Sequence, residues 1–122
     1  MEFHESKEDY LEAILVLKNM SHIVRSIDIA NFLNYSRPSV SIAMKQLKEE
    51  GLINIDGNHH ITLTDAGFEI ADKIYDRHVT ITKFLSSIGV NPEIAEKDAC
   101  KIEHIISQET FDRIKELKNK VF

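Results

Sequence analysis

The stretch from Ser26 to Leu63 constrains the fold more than any other, because four local signals follow one another in it with almost no slack. Ser26-Ile-Asp-Ile-Ala-Asn-Phe-Leu33 places Ile27, Ala30 and Leu33 on one side of a short helix, and Asn34-Tyr-Ser36 supplies a polar turn. Arg37-Pro-Ser opens a second helix. Proline is tolerated in a first helical turn, where its missing N–H has no intrahelical partner to lose. Val40, Met44 and Leu47 repeat along the inner face as far as Glu50, and Gly51 ends the helix. Leu52-Ile-Asn-Ile55 then alternates, Asp56-Gly57 marks a hairpin turn, and His60-Ile-Thr-Leu63 returns. An ordinary helical hairpin in a core is the plainer reading of the two helices; the strand pair behind them favours a helix-turn-helix with a small two-stranded wing.

The flanking segments read as helices. Ser6 is the expected N-cap of a first helix that runs to about Asn19, with Glu8 and Asp9 in its first turn and Tyr10, Leu11, Ile14, Leu15 and Leu17 on its apolar side. After Thr64, the series Phe68, Ala71, Ile74 or Tyr75, His78, Ile81 and Leu85 fits one long helix to about Ile88, stopped by Gly89. Asn91-Pro92-Glu93 restarts a helix, and Ser107 with Glu109 opens a last one carrying Phe111, Ile114, Leu117 and Val121. The expected fold is mainly α: a winged helix-turn-helix DNA-binding domain over 1–72, then an α-helical dimerisation domain over 73–122. Phe84, Leu85, Ile88 and Val90 add more apolar surface than so small a lobe can hide, which points to a homodimer interface.

Charge bears on partners. The formal net charge of -5 argues against a protein held to nucleic acid by bulk attraction. Yet Val24 to Lys48 carries Arg25, Arg37, Lys45 and Lys48 against Asp28 alone, so a locally basic segment follows an acidic amino-terminal arm. In the second helix of the motif, Ser36, Ser39 and Ser41 are placed to reach phosphates or base edges, Arg37 and Lys45 to neutralise phosphate, and Pro38 or Ile42 to touch a thymine methyl. Asn58 and His59 fall at the wing tip. No apolar run approaches the roughly 20 residues of a membrane span, and the acidic start is unlike a secretory or transit signal. A cytoplasmic protein without a membrane partner is expected. The single cysteine, Cys100, forbids an internal disulfide.

Cys100, Glu103 and His104 lie at i, i+3 and i+4 and project from one helical face, beside an apolar stripe of Ala95, Ala99, Ile102 and Ile106. Thiolate, imidazole and carboxylate together suit a first-row divalent transition metal better than calcium or magnesium. The bland alternative is a solvated helix face with a small buried cysteine. Asp9 and Glu12 share a face of the first helix, a pattern that the macrodipole alone also favours. His78 falls on an otherwise apolar stripe, where a histidine is usually a bonded core residue. No nucleophile constellation or phosphate loop is present, so neither an enzyme nor a small organic substrate is expected.

Glu8-Asp-Tyr-Leu-Glu12, Arg37-Pro-Ser-Val-Ser41, Gly51-Leu-Ile53, Leu63-Thr-Asp-Ala-Gly67, Arg77-His78 and Ala99-Cys-Lys-Ile-Glu-His104 together resemble the DtxR/MntR family of metal-dependent repressors over nearly the whole chain. The resemblance is to the short, manganese-type architecture without an added carboxyl-terminal domain. It implies that Asp9, Glu12, His78, Cys100, Glu103 and His104 line a metal site between the first helix and the dimerisation lobe. One ion is assigned to Asp9, Cys100, Glu103 and His104, and a second would be built from Glu12, His78 and a shared Glu103. Cys100 stands where manganese regulators have glutamate and iron-type repressors have cysteine; Thr82 and Glu96 replace an ancillary acid and an ancillary histidine of the iron-type proteins. The implied function is a regulator that senses Mn2+ or Fe2+, accepts Zn2+ or Co2+ in vitro, and binds a double-stranded operator as a homodimer to control metal-homeostasis genes. The competing reading is a winged-helix regulator that senses redox state through Cys100 without metal.

Overall fold

A computed structural model describes residues 5–21 and 23–121, with side chains at 7–20 and 23–117. Six helices and one strand pair follow in the order α1 (Glu5–Ser21), α2 (Ser26–Leu33), α3 (Arg37–Glu49), β1 (Ile53–Ile55), β2 (Ile61–Leu63), α4 (Asp65–Ser87), α5 (Pro92–Ile105) and α6 (Gln108–Val121). The chain divides into two compact units, Met1–Asp72 and Lys73–Phe122. Among the described residues no helix is long and apolar enough to cross a membrane.

The first unit is a winged helix built on one apolar cluster. Leu11, Ala13, Ile14, Ile29, Val40, Met44, Ile53 and Ile61 come from five successive elements and are all but fully buried. Burial of each large aliphatic side chain stabilises by about 1.5–3 kcal/mol, and this cluster rather than helix propensity holds the three helices together. Asn34, in the left-handed region at φ 61°, closes α2, and the Tyr35 amide donates to the Ala30 carbonyl at 3.0 Å. Ser36 then caps α3 by accepting from the Ser39 amide, and Pro38 sits in the first turn as its geometry allows.

The wing is antiparallel, with Ile53 opposite Leu63, Asn54 opposite Thr62 and Ile55 opposite Ile61. Both strands are one residue shorter at their outer starts than the alternation suggests. Leu52 donates to the Leu47 carbonyl and accepts from the Thr64 amide, so it is committed to the helix end and to the chain after the wing. His60 belongs to the turn: its amide bonds the Asp56 carboxylate at 2.9 Å, and its carbonyl accepts from the Asp56 amide at 3.1 Å. The turn differs from the expected Asp-Gly pair as well. His59, not Gly57, takes the positive φ of 64°, because the Asp56 carboxylate gathers the Asn58 and His60 amides and organises the whole connection from Asp56 to His60.

Other departures are local. The backbone of Ser6 lies inside α1 rather than capping it, and its side chain, like that of Val121, lies outside the described residues. Phe68, expected on the inner stripe of α4, is 47% exposed, whereas Ala71, Ile74 and Ile81 of the same series are buried; of the pair Ile74 or Tyr75, Ile74 is the inward one and Tyr75 is 40% exposed. In the second unit Ile81, Ala99 and Phe111 form a smaller cluster with Leu85, Ile102 and Ile106 against it. Ser107 caps α6 by accepting from the Thr110 amide.

Candidate metal centre and nucleic-acid face

Within the second unit, α4 and α5 bring donors together around Glu103. Ala95, Ala99 and Glu103 recur at intervals of four and are the buried residues of α5, so the carboxylate continues the stripe that packs the helix. Its Oε1 lies 2.9 Å from His78 Nδ1. The His104 Nε2 approaches Oε2 at 3.5 Å, too far for a well-formed hydrogen bond, and Oε2 is buried with no hydrogen-bond partner. One donor atom each of His78, Cys100 and Glu103 lies within 4.8 Å of the other two. The outer edge of the histidine is flanked by Glu96, whose Oε2 is 3.8 Å from His78 Nε2.

This is a costly arrangement for a protein without a ligand. A carboxylate taken out of water costs several kcal/mol unless it is paired and its lone pairs are satisfied, and here one oxygen of a fully buried side chain lacks a donor. An acceptor left over beside an imidazole and a thiol is what a divalent cation can use, and the mixed donor set matches the later first-row metals. The residues therefore fit a bound metal. The bland picture of α5 is reversed in both respects, since Cys100 is exposed and Glu103 is the buried residue. In the first unit Asp9 and Glu12 lie one turn apart on α1, both half-buried.

The candidate nucleic-acid face lies along α3. Val40, Met44 and Leu47 point inward, while Arg37, Pro38, Ser39, Ser41, Ile42 and Lys45 are exposed. Ile42 is 61% exposed. The Ser36 hydroxyl donates to Ser39 Oγ at 2.8 Å while accepting from the Ser39 amide, so its first task is the cap. Asn58 is exposed at the wing tip. A set of residues that sequence reasoning passes over steadies this wing: Arg25 Nη2 meets His60 Nε2 at 2.9 Å, and His60 Nδ1 lies 3.5 Å from Asp56. The only sequence signal for it is the basic residue just ahead of α2.

The His60 amide foremost, with that of Asn58 assisting, holds the Asp56 carboxyl below its ordinary value of 3.8. Because the folded-state value is depressed, these bonds are fully formed above the ordinary value and are lost as pH falls through the lowered one. Amide resonances of Asn58 and His60 are expected to titrate together below pH 3.8 and to lose that inflection in Asp56→Asn. Independent titration of the two amides would contradict the shared carboxylate.

Of the residues expected at a dimer face, Ile88 is 59% exposed, Phe84 and Val90 are half-buried, and Leu85 packs on the second cluster. Ile94, Ile105 and Leu117, not singled out for that face, are also exposed apolar residues of the second unit.

A winged helix-turn-helix followed by a helical unit with metal-ligand side chains gathered at a buried carboxylate defines a class of DNA-binding regulators. Comparison with known proteins makes this specific. Residues 2–61 match the model of the iron dependent repressor N-terminal DNA binding domain, and residues 64–121 that of the iron dependent repressor metal binding and dimerisation domain. The chain belongs to the DtxR/MntR family of metal-dependent transcriptional repressors. It is 38% identical over 113 residues to an HTH-type transcriptional regulator of Methanocaldococcus jannaschii, covering 91% of this chain and 90% of that protein. To the transcriptional regulator MntR of Escherichia coli O6:H1 it is 37% identical over 105 residues, covering 86% and 68%. The solved structure of the manganese regulator SloR superposes with a TM-score of 0.82 at 29% identity, covering 93% of this chain and 53% of that one. The chain thus spans about half the length of that structure. Membership of this family favours metal sensing over a redox switch at Cys100.

Proposed function

We propose that this protein binds Mn2+ or Fe2+ through Glu103, His104, Cys100 and His78, with Asp9 and Glu12 as further ligands, and in that state binds an operator as a homodimer. The observation that carries the reading is the buried Glu103 carboxylate with an unsatisfied oxygen between two histidines. The family membership and the relationship to a manganese regulator support the choice of metal. Asp9 and Glu12 rest on the family resemblance. One ion is assigned to Asp9, Cys100, Glu103 and His104; a second would use Glu12, His78 and the shared Glu103. Zn2+ and Co2+ would also bind in vitro, because raw affinity rises toward the later metals.

A bound divalent ion supplies the positive charge that several converging carboxylates otherwise lack. Glu103 would offer its carboxylate, His78 and His104 neutral imidazoles, and Cys100 would have to lose its proton, so affinity would fall as pH drops. Ligands drawn from both ends of the chain would favour one arrangement of the protein over others, and only such a difference in affinity shifts a population. In a dimer, two α3 helices must meet major-groove faces about 34 Å apart. The exposed Arg37, Lys45 and Lys48 would supply the salt-dependent part of affinity despite the net negative charge. Phe84, Leu85, Ile88 and Val90 are assigned to the dimer contact.

The test is calorimetric titration with Mn2+, Fe2+ and Zn2+, followed by mobility shift on duplexes selected from a random pool, with and without chelator. Binding that the chelator reverses and Mn2+ or Fe2+ restores is the expected result. Equal DNA affinity in chelator would refute metal control.

A further inference from the structure

Arg77 is the residue before His78 on α4, and a step of one residue turns a helical side chain by about 100°, so the two side chains leave α4 in different directions. Both nevertheless end on Glu103. His78 bonds its carboxylate, while Arg77 Nη1 donates to its backbone carbonyl at 3.0 Å and to the Ile106 carbonyl at 3.0 Å. Arg77 Nη2 donates to Gln108 Oε1 at 3.0 Å, at the start of α6. The guanidinium also lies over the Phe111 ring, 5.4 Å from its centre. These carbonyls belong to the last turn and cap of α5, where backbone acceptors have no intrahelical donor and a cation is favoured by the helix dipole.

We infer that Arg77 is a positioning residue for the metal centre: it fixes the backbone of Glu103 while its neighbour orients the carboxylate, so that the His78–Glu103 donor pair is set before any ion arrives. This rests on the function proposed above. The chemistry selects arginine. A planar guanidinium presents several donors in a rigid fork and stacks on an aromatic face, whereas an ammonium is a single point on a flexible stem. Lysine at 77 retains the charge and loses the simultaneous grip on Glu103, Ile106 and Gln108. The buried Arg77 Nε has no partner, so the side chain holds its place through the two Nη groups and the ring.

The experiment compares the wild-type protein with Arg77→Lys and Gln108→Ala by two readouts. In chelator, the ring 15N resonances of His78 report the contact with Glu103; calorimetry with Mn2+ reports affinity. Arg77→Lys is expected to shift the His78 Nδ1 resonance and to weaken Mn2+ binding by about 10- to 100-fold, the usual cost of losing an outer partner of a metal ligand. Gln108→Ala, which removes one of the three bonds, is expected to move both readouts in the same direction by less, and it serves alone if the lysine variant does not fold. A His78 resonance and an Mn2+ affinity both unchanged, even with a lower melting temperature, would reduce Arg77 to a structural residue and overturn the proposal. Should the wild-type protein take up no Mn2+, the functional reading fails, and the His78 resonance in chelator still decides whether Arg77 sets the pair.

Discussion

Glu103→Gln is expected to weaken Mn2+ binding by more than about 100-fold, beyond the cost of losing an outer partner, while the metal-free protein keeps or gains stability. The two halves of this result have opposite signs for a physical reason. Glutamine has nearly the shape of glutamate, so it fills the same fully buried position on α5 without a cavity. It removes a charge whose Oε2 has no hydrogen-bond partner, and an unsatisfied buried acceptor costs about 1–3 kcal/mol. The amide retains one oxygen to face His78 and presents its NH2 toward His104, 3.5 Å from the present Oε2. What it cannot do is act as a charged ligand through both atoms. Melting curves in chelator and calorimetry with Mn2+ separate these effects. A loss of stability equal to the loss of affinity would mean that Glu103 serves the core rather than the ion.

That position shows where sequence reasoning runs out. The recurrence of Ala95, Ala99 and Glu103 at intervals of four is visible in the letters, but a carboxylate in the third place reads as surface unless a counter-charge is known to await it. The i, i+3, i+4 spacing puts Cys100, Glu103 and His104 on one helical face, but the bland reading of that face buried Cys100 rather than Glu103, because thiols are on average more buried than carboxylates. The first unit was more legible because its punctuation is local. Pro38 in the first turn, Gly51 at φ 78° and the left-handed Asn34 each do their work within a few residues. The wing turn misled because the side chain of Asp56 reorganises the loop and moves the left-handed position to His59. On α4 the inner stripe fails at Phe68, near the start of a 23-residue helix that passes from one compact unit into the next. Arg77 carried no signal beyond standing next to His78; its role lies in contacts 26 to 31 residues away.

Gly67→Ala tests a part of the sequence motif that has nothing to do with metal. Thr64 binds the chain across itself: its hydroxyl donates to the Gly51 carbonyl at 2.7 Å, accepts from the Gly67 amide at 3.1 Å, and its amide donates to the Leu52 carbonyl. The start of α4 is thereby drawn against the end of α3, and a Cβ at Gly67 would collide with the Leu52 carbonyl oxygen. Alanine within a helix is ordinarily favoured over glycine by about 1 kcal/mol. Here a backbone atom has to move, and overpacking of that kind costs about 1–3 kcal/mol or more, so the clash outweighs the propensity. A net loss of about 2 kcal/mol corresponds to a fall of roughly 8–16 °C in the melting temperature of a domain this small, measured by circular dichroism in chelator. Gly57→Ala is the matched control, because a Cβ there meets nothing within 4 Å and the effect should stay within about 0.5 kcal/mol. Equal melting temperatures for the two variants would mean that the close approach of α4 to Leu52 is not what selects glycine at position 67.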